Sequence, residues 1–131
     1  VQQPILLDLS SNPDLAQTIC VTCLGLKISC KLTGLHTLKI KETDRIEALQ
    51  NELSKFGVLV EATTDSIMFN YVTDFCSGVK IRTYDDHRMA MAFTPLALLK
   101  PIIINNPKVI SKSFPSFWKT LSKLCFEISE C

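Results

Sequence analysis

Two short ionic runs stand out in this 131-residue chain, Lys41-Glu42-Thr43-Asp44-Arg45 and Asp85-Asp86-His87-Arg88. Each lies where an apolar strand-like stretch gives way to an apolar helix-like one. Loops at such junctions are where α/β proteins commonly bind anions and do chemistry. Charges there are expensive to hold unless a ligand or partner needs them. With a third basic site at Lys108 and Lys112, the runs point to a site for something polyanionic.

Each run also has a plain local reading. Glu42 and Arg45 are three apart and Lys41 and Arg45 four apart, so all three can share one helical end and face. That could be a solvated first turn with a surface ion pair, worth about 0.3–0.5 kcal/mol. Asp85 or Asp86 can cap a helix. His87 and Arg88 then fall in its first turn, where cations oppose the helix dipole, and a bound anion would relieve that conflict. Arg is suited to such a role because its guanidinium clamps a carboxylate or phosphate bidentately. Lys108 and Lys112 resemble ordinary surface lysines, and Asp14 resembles a helix-start residue.

The elements that must position these residues follow from the apolar pattern. Strands are expected over Ile5–Leu9, Lys27–Leu32, Val79–Thr83 and Ile102–Ile104. Val58–Ala62 and Ile67–Tyr71 flank Thr63-Thr64-Asp65-Ser66 and predict a hairpin. A small-residue helix is expected over Leu15–Leu24, ending near Gly25. The clearest helix is Thr43–Phe56, with Ile46, Leu49, Leu53 and Phe56 on one face and Gly57 closing it. Asp85–Leu99 predicts a central helix stopped by Pro101. Phe114, Phe117, Trp118, Leu121 and Leu124 mark a last helix, with a closing strand over Phe126–Ile128. The order is roughly β-α-β-α-β-β and then β-α-β-α-β. It suggests two copies of one unit, residues 1–75 and 76–131, with the junction near Tyr71–Gly78.

Hydrophobic residues make up 47% of the chain, enough for a real core, and the net charge is +1 with a pI near 7.7. A broad basic field for nucleic acid is therefore excluded. No apolar run reaches the roughly 18 residues a membrane span requires. Val1-Gln2-Gln3-Pro4 has neither a Met nor a charged leader region, and it reads as the opening of a piece of a longer chain. Of the six cysteines, Cys20 and Cys23 have metal or redox spacing. They lie in an apolar helical run without a second such pair or a nearby His, so they are expected to be small core residues. Reduced thiols in a cytoplasm are expected throughout.

Taken together, Lys41-Glu42-Thr43-Asp44-Arg45-Ile46, Tyr84-Asp85-Asp86-His87-Arg88-Met89-Ala90-Met91 and Pro107-Lys108-Val109-Ile110-Ser111-Lys112-Ser113-Phe114-Pro115 resemble the C-terminal part of the EPSP synthase family. Asn12-Pro13-Asp14 with Ala16 and Thr18 is similar to the family segment that bears a catalytic aspartate. The resemblance spans about residues 8 to 124. It implies an α/β (α+β) enolpyruvyl transferase fold of repeated βαβαββ units, about two of them present, in a fragment of one domain of a two-domain enzyme. It also implies transfer of the enolpyruvyl group of phosphoenolpyruvate to the 5-hydroxyl of shikimate 3-phosphate, with no metal or organic cofactor. By motif, Asp14, Glu42 and Lys112 would act in proton transfer. Lys41 would contact the shikimate ester. Arg45, His87, Arg88 and Lys112 would surround phosphoenolpyruvate. Thr37 stands where many members have a substrate-touching Asn. The family's N-terminal domain, which supplies further cations, would be the required partner. Two other readings stay open at this point: a UDP-N-acetylglucosamine enolpyruvyl transferase-like enzyme, and a non-catalytic anion-binding module of the same fold.

Overall fold

A computed structural model of the chain describes residues 3–130. Its elements run β1 (Ile5–Asp8), α1 (Ala16–Leu26), β2 (Cys30–Thr33), α2 (Arg45–Ser54), β3 (Val60–Ala62) and β4 (Ile67–Phe69), then β5 (Val79–Ile81), α3 (His87–Phe93), β6 (Ile102–Ile104) and α4 (Phe117–Lys123). The first four strands form one sheet in the order β1-β2-β4-β3. β1 and β2 are parallel, with α1 as the crossover that parallel pairing demands. β4 runs antiparallel to both β2 and β3, and β3–β4 is the expected hairpin. β5 and β6 pair in parallel as a second sheet. Among the described residues no helix is long and apolar enough to cross a membrane.

Alternation sets the faces. In β2, Cys30 and Leu32 are buried while Lys31 is exposed. In α2, Ile46, Leu49 and Leu53 are buried on one face, and Phe56 follows them into the core. There Phe56 stacks on Phe93 at 6.0 Å and meets the edge of Phe75 at 5.6 Å. This aromatic trio joins the helices of the two sheets into one core. Cys20, Cys23 and Cys30 lie in that core too. The hydrogen bond that the Cys30 thiol makes to Cys20, together with burial, helps push Cys30 up to about 12, and Cys23 is raised further, chiefly by its bond to Cys30. Both are protonated, inert thiols at neutral pH. Cys76 and Cys125 are free and exposed; Cys131 lies outside the described residues.

Gly34 is where only glycine fits. It has φ +74°, and a Cβ there would stand 2.5 Å from the Ser10 nitrogen and hydroxyl. The chain can therefore cross tightly beneath the Asp8–Ser10 turn before heading toward the first ionic run.

Three boundaries depart from expectation. α1 does not stop at Gly25 but continues to Leu26. Lys27 makes the left-handed C-cap, with its N–H bonded to the Cys23 and Leu24 carbonyls. Gly25 instead admits the side chains of Leu96 and Leu99, which would lie 3.2 and 3.4 Å from an added Cβ. The helix expected over Asp85–Leu99 is α-helical only through Phe93 and then tightens to a 3₁₀ turn, Thr94–Leu98. Pro95 supplies no N–H for an α-helical bond at that point. The closing strand over Phe126–Ile128 does not form; the described residues after α4 pair with no strand. α4 itself buries no residue completely, so nothing there holds the following segment against a sheet edge.

Candidate active site

Arg45 opens α2, behind Asp44, whose side chain caps the helix by accepting from the Glu47 N–H at 3.1 Å. The Arg45 side chain turns inward and is only 2% exposed. A buried guanidinium needs partners, and three carboxylates supply them. Nε donates to Asp86 Oδ2 at 2.7 Å and Nη2 to Asp86 Oδ1 at 3.2 Å, a two-point clamp. Nη2 also donates to Glu42 Oε2 at 2.5 Å, and Nη1 to Asp14 Oδ1 at 3.1 Å. The Lys41 ammonium lies 3.7 Å from the same Asp14 oxygen.

Local backbone brings these carboxylates in. Asp14 sits in the 3₁₀ turn Pro13–Leu15 that leads into α1. Glu42 lies in the loop between the 3₁₀ turn His36–Ile40 and α2. Asp86 follows Tyr84 and Asp85, which are consecutive left-handed residues at φ +56° and +54°. A non-glycine residue in that region costs about 1–2 kcal/mol. Here the two together turn the chain from β5 so that Asp86 enters the core. Asp86 is fully buried, with Gln17 Nε2 donating to Oδ2 at 3.3 Å. It also N-caps α3, with Oδ1 accepting from the Arg88 N–H at 2.9 Å. One carboxylate thus ties the start of α2 to the start of α3.

The two ionic runs are therefore one site. Asp14 and Glu42 contact Arg45, Lys41 contacts Asp14, and His87 and Arg88 stand on the helix that Asp86 caps. Among the described residues the Arg88 guanidinium makes no ion pair or hydrogen bond, and it is exposed. Thr37 lies in the His36–Ile40 turn, with its hydroxyl buried and unpartnered. Lys112 is exposed on the turn after the 3₁₀ segment Pro107–Ile110, which packs on α3. Among the described residues no hydrogen bond or ion pair links the Lys112 side chain to the Arg45 cluster.

Sequence reasoning took Asp86 for a possible helix cap and did not see its second task. Nothing in local spacing relates Asp86 to Arg45, 41 positions away. Gln17 was missed for the same reason. The available signal was the adjacent pair Asp85-Asp86: one carboxylate suffices for a cap, and the second acid was unexplained.

The cluster holds two half-exposed carboxylates over a buried cation, with an arginine on the neighbouring helix that is unpaired among the described residues. Such a set can hold an anion and move protons to and from groups near it.

A profile of the family described as EPSP synthase (3-phosphoshikimate 1-carboxyvinyltransferase) matches residues 2–121. A 3-phosphoshikimate 1-carboxyvinyltransferase of Bacteroides fragilis is 48% identical over 126 residues, covering 92% of this chain and 30% of that protein. One from Laribacter hongkongensis is 39% identical over 120 residues, covering 92% and 28%. A solved EPSP synthase from Acinetobacter baumannii superposes with a TM-score of 0.72 at 26% identity, over 85% of this chain and 27% of that one. The chain thus spans less than a third of the length of the curated relatives it matches.

Proposed function

This chain belongs to the EPSP synthase family, and we propose that, joined to the rest of such an enzyme, it transfers the enolpyruvyl group of phosphoenolpyruvate to the 5-hydroxyl of shikimate 3-phosphate. The observation that carries this reading is the gathering of Asp14 and Glu42 on one buried arginine, tied through Asp86 to the helix bearing His87 and Arg88. A reaction between two anions needs fixed cations to hold them. It also needs carboxylates to handle the protons.

The roles follow. Asp14 accepts the proton of the attacking hydroxyl as its oxygen bonds to C2 of phosphoenolpyruvate. Glu42 gives a proton to the methylene carbon, and the tetrahedral intermediate forms. Phosphate then leaves, the methyl carbon returns its proton, and the enolpyruvyl ether remains. Arg45, Arg88 and Lys112 offset the phosphate and carboxylate of phosphoenolpyruvate, with His87 beside them, and Lys112 also takes part in proton transfer. Lys41 contacts the shikimate phosphate ester, and Thr37 is a further substrate-binding position. Residues 1–75 and 76–131 act as two repeated units within one domain. A second, N-terminal domain supplies the remaining cations, and the enzyme works in the cytoplasm.

The test is phosphate release from the two substrates by the intact enzyme that carries this chain. Steady release that needs both substrates supports the reading, and none overturns it. The 131-residue chain alone holds about half of the proposed site. It is expected to unfold cooperatively on heating and to release no phosphate.

A further inference from the structure

Arg45 cannot receive a substrate anion in the arrangement described above. Four of its five N–H protons point at carboxylates, and the side chain is 2% exposed. The local balance makes the same point. Arg45 and Lys41 contribute two positive charges, against three negative ones from Asp14, Glu42 and Asp86. An anion added to that set would meet net repulsion.

The three carboxylates are not equivalent. Asp86 has no exposed surface and holds two Arg45 nitrogens, the Arg88 N–H and Gln17. Asp14 and Glu42 are 41% and 46% exposed and reach Arg45 from its solvent side, through Nη1 and Nη2. Asp86 is an anchor, whereas the other two can swing into water at little cost. We propose that Asp14 and Glu42 are place-holders, which occupy the anion seat of Arg45 until a substrate phosphate or carboxylate displaces them. The displacement couples the two functions assigned above and rests on that assignment. The anion that takes the guanidinium also releases the carboxylates for proton transfer. In the empty site both carboxylates are held against Arg45 instead.

The consequence runs against ordinary expectation for active-site residues, because removing a place-holder should improve anion binding. The test titrates inorganic phosphate into the ¹⁵N-labelled chain and follows the Arg45 Nε–H resonance. Glu42→Gln and Asp14→Asn should each bind phosphate roughly two- to five-fold more tightly than the parent, the range of a half-exposed ion pair. The double variant should exceed either alone. Glu47→Gln removes one charge from the exposed first turn of α2 without touching Arg45, and it should leave the dissociation constant where it was. Equal or weaker binding in Glu42→Gln and Asp14→Asn overturns the proposal. So does tightening of the same size in Glu47→Gln, which would be a general field effect, and so does the absence of binding in every variant. Phosphoenolpyruvate turnover is scored separately in the intact enzyme. A failure of the place-holder exchange with turnover intact therefore leaves the enzymatic reading standing, and tighter phosphate binding without turnover keeps the exchange and removes its coupling to catalysis.

Discussion

At the N-terminal end of α2, Arg45 is buried among three carboxylates that grade from sealed Asp86 to half-open Asp14 and Glu42. At the other end, Glu52 is just as buried, but its partners are of a different kind. It accepts from the Arg82 backbone N–H at 2.8 Å, the Tyr84 hydroxyl at 2.6 Å and the Lys55 ammonium at 2.5 Å. Lys55 is held in turn by the Lys80 carbonyl at 2.9 Å, and the Arg82 guanidinium covers the Tyr84 ring at 4.5 Å. Both clusters tie α2 to the β5–α3 region, and each centres on a charge that would be costly alone. The Glu52 cluster satisfies its charge partly with backbone and a neutral hydroxyl, and nothing in it is spare. The Arg45 cluster has one more acid than its cations neutralise, and those acids face solvent. On the proposed reading the closed cluster only holds the fold, whereas Asp14 and Glu42 in the open one are free to exchange.

The largest expected effect breaks the anchor. Arg45→Met leaves Asp86 as an uncompensated buried charge and should destabilise the chain by about 3–5 kcal/mol in denaturant titration. A loss below about 1 kcal/mol would show that Asp86 finds other partners and that Arg45 does not hold the two helices together. At the closed end, Glu52→Gln should cost about 1–3 kcal/mol, since it removes charge from three hydrogen bonds and leaves their donors in place. It should not alter phosphate affinity. A change in that affinity would erase the distinction between the two ends.

Arg88 sharpens the comparison from the ligand side. It is exposed, unpaired among the described residues and set in the first turn of α3, where its charge opposes the dipole. Arg88→Ala in the intact enzyme should raise KM for phosphoenolpyruvate roughly 10- to 100-fold, the worth of a charge-assisted contact. The ligand-free melting temperature should stay unchanged or rise slightly. Arg88→Lys should rescue only in part, because Lys lacks the bidentate fork. Unfolding of Arg88→Ala with KM unaltered in the folded remainder would make Arg88 structural.

The smallest effect concerns pH at the closed end. Burial and the bond to Glu52 hold the Tyr84 hydroxyl above its ordinary value. A raised folded pKa means stability that is complete below the unfolded value and lost as pH rises through the folded one. The chain should therefore weaken from about pH 10 upward. Tyr84→Phe, costing no more than about 1.5 kcal/mol, should flatten part of that decline. An unchanged alkaline profile in Tyr84→Phe would mean that the hydroxyl contributes nothing there.

The sequence-to-structure comparison has the same shape as the contrast between the clusters. What repeats locally was legible. The 3.6-residue period from Ile46 to Phe56 placed α2, the Thr63–Ser66 turn placed the hairpin, and the charged runs marked both helix starts. What depends on contacts distant in sequence was not. Gly25 reads as a helix stop until Leu96 and Leu99 are seen against it. Asp86 reads as a cap until Arg45 is seen on its other oxygens. Nothing in local spacing relates Glu52 to Arg82 and Tyr84, 30 and 32 positions on. The strand expected at Phe126–Ile128 failed for the opposite reason, since local propensity was present and no neighbouring strand was there to pair with it.

In the proposed enzyme the open end of α2 performs proton transfer while the closed end only holds the fold. This is tested most directly by measuring kcat and ligand-free melting temperature for Glu42→Gln and Glu52→Gln in the intact enzyme, side by side. Glu42→Gln should lower kcat by roughly 10²–10⁴-fold, the usual range for a general acid or base, at an unchanged melting temperature. Glu52→Gln should lower the melting temperature and leave kcat per folded molecule near that of the parent. Near-normal kcat in Glu42→Gln would reduce that carboxylate to a surface ion pair and contradict the account.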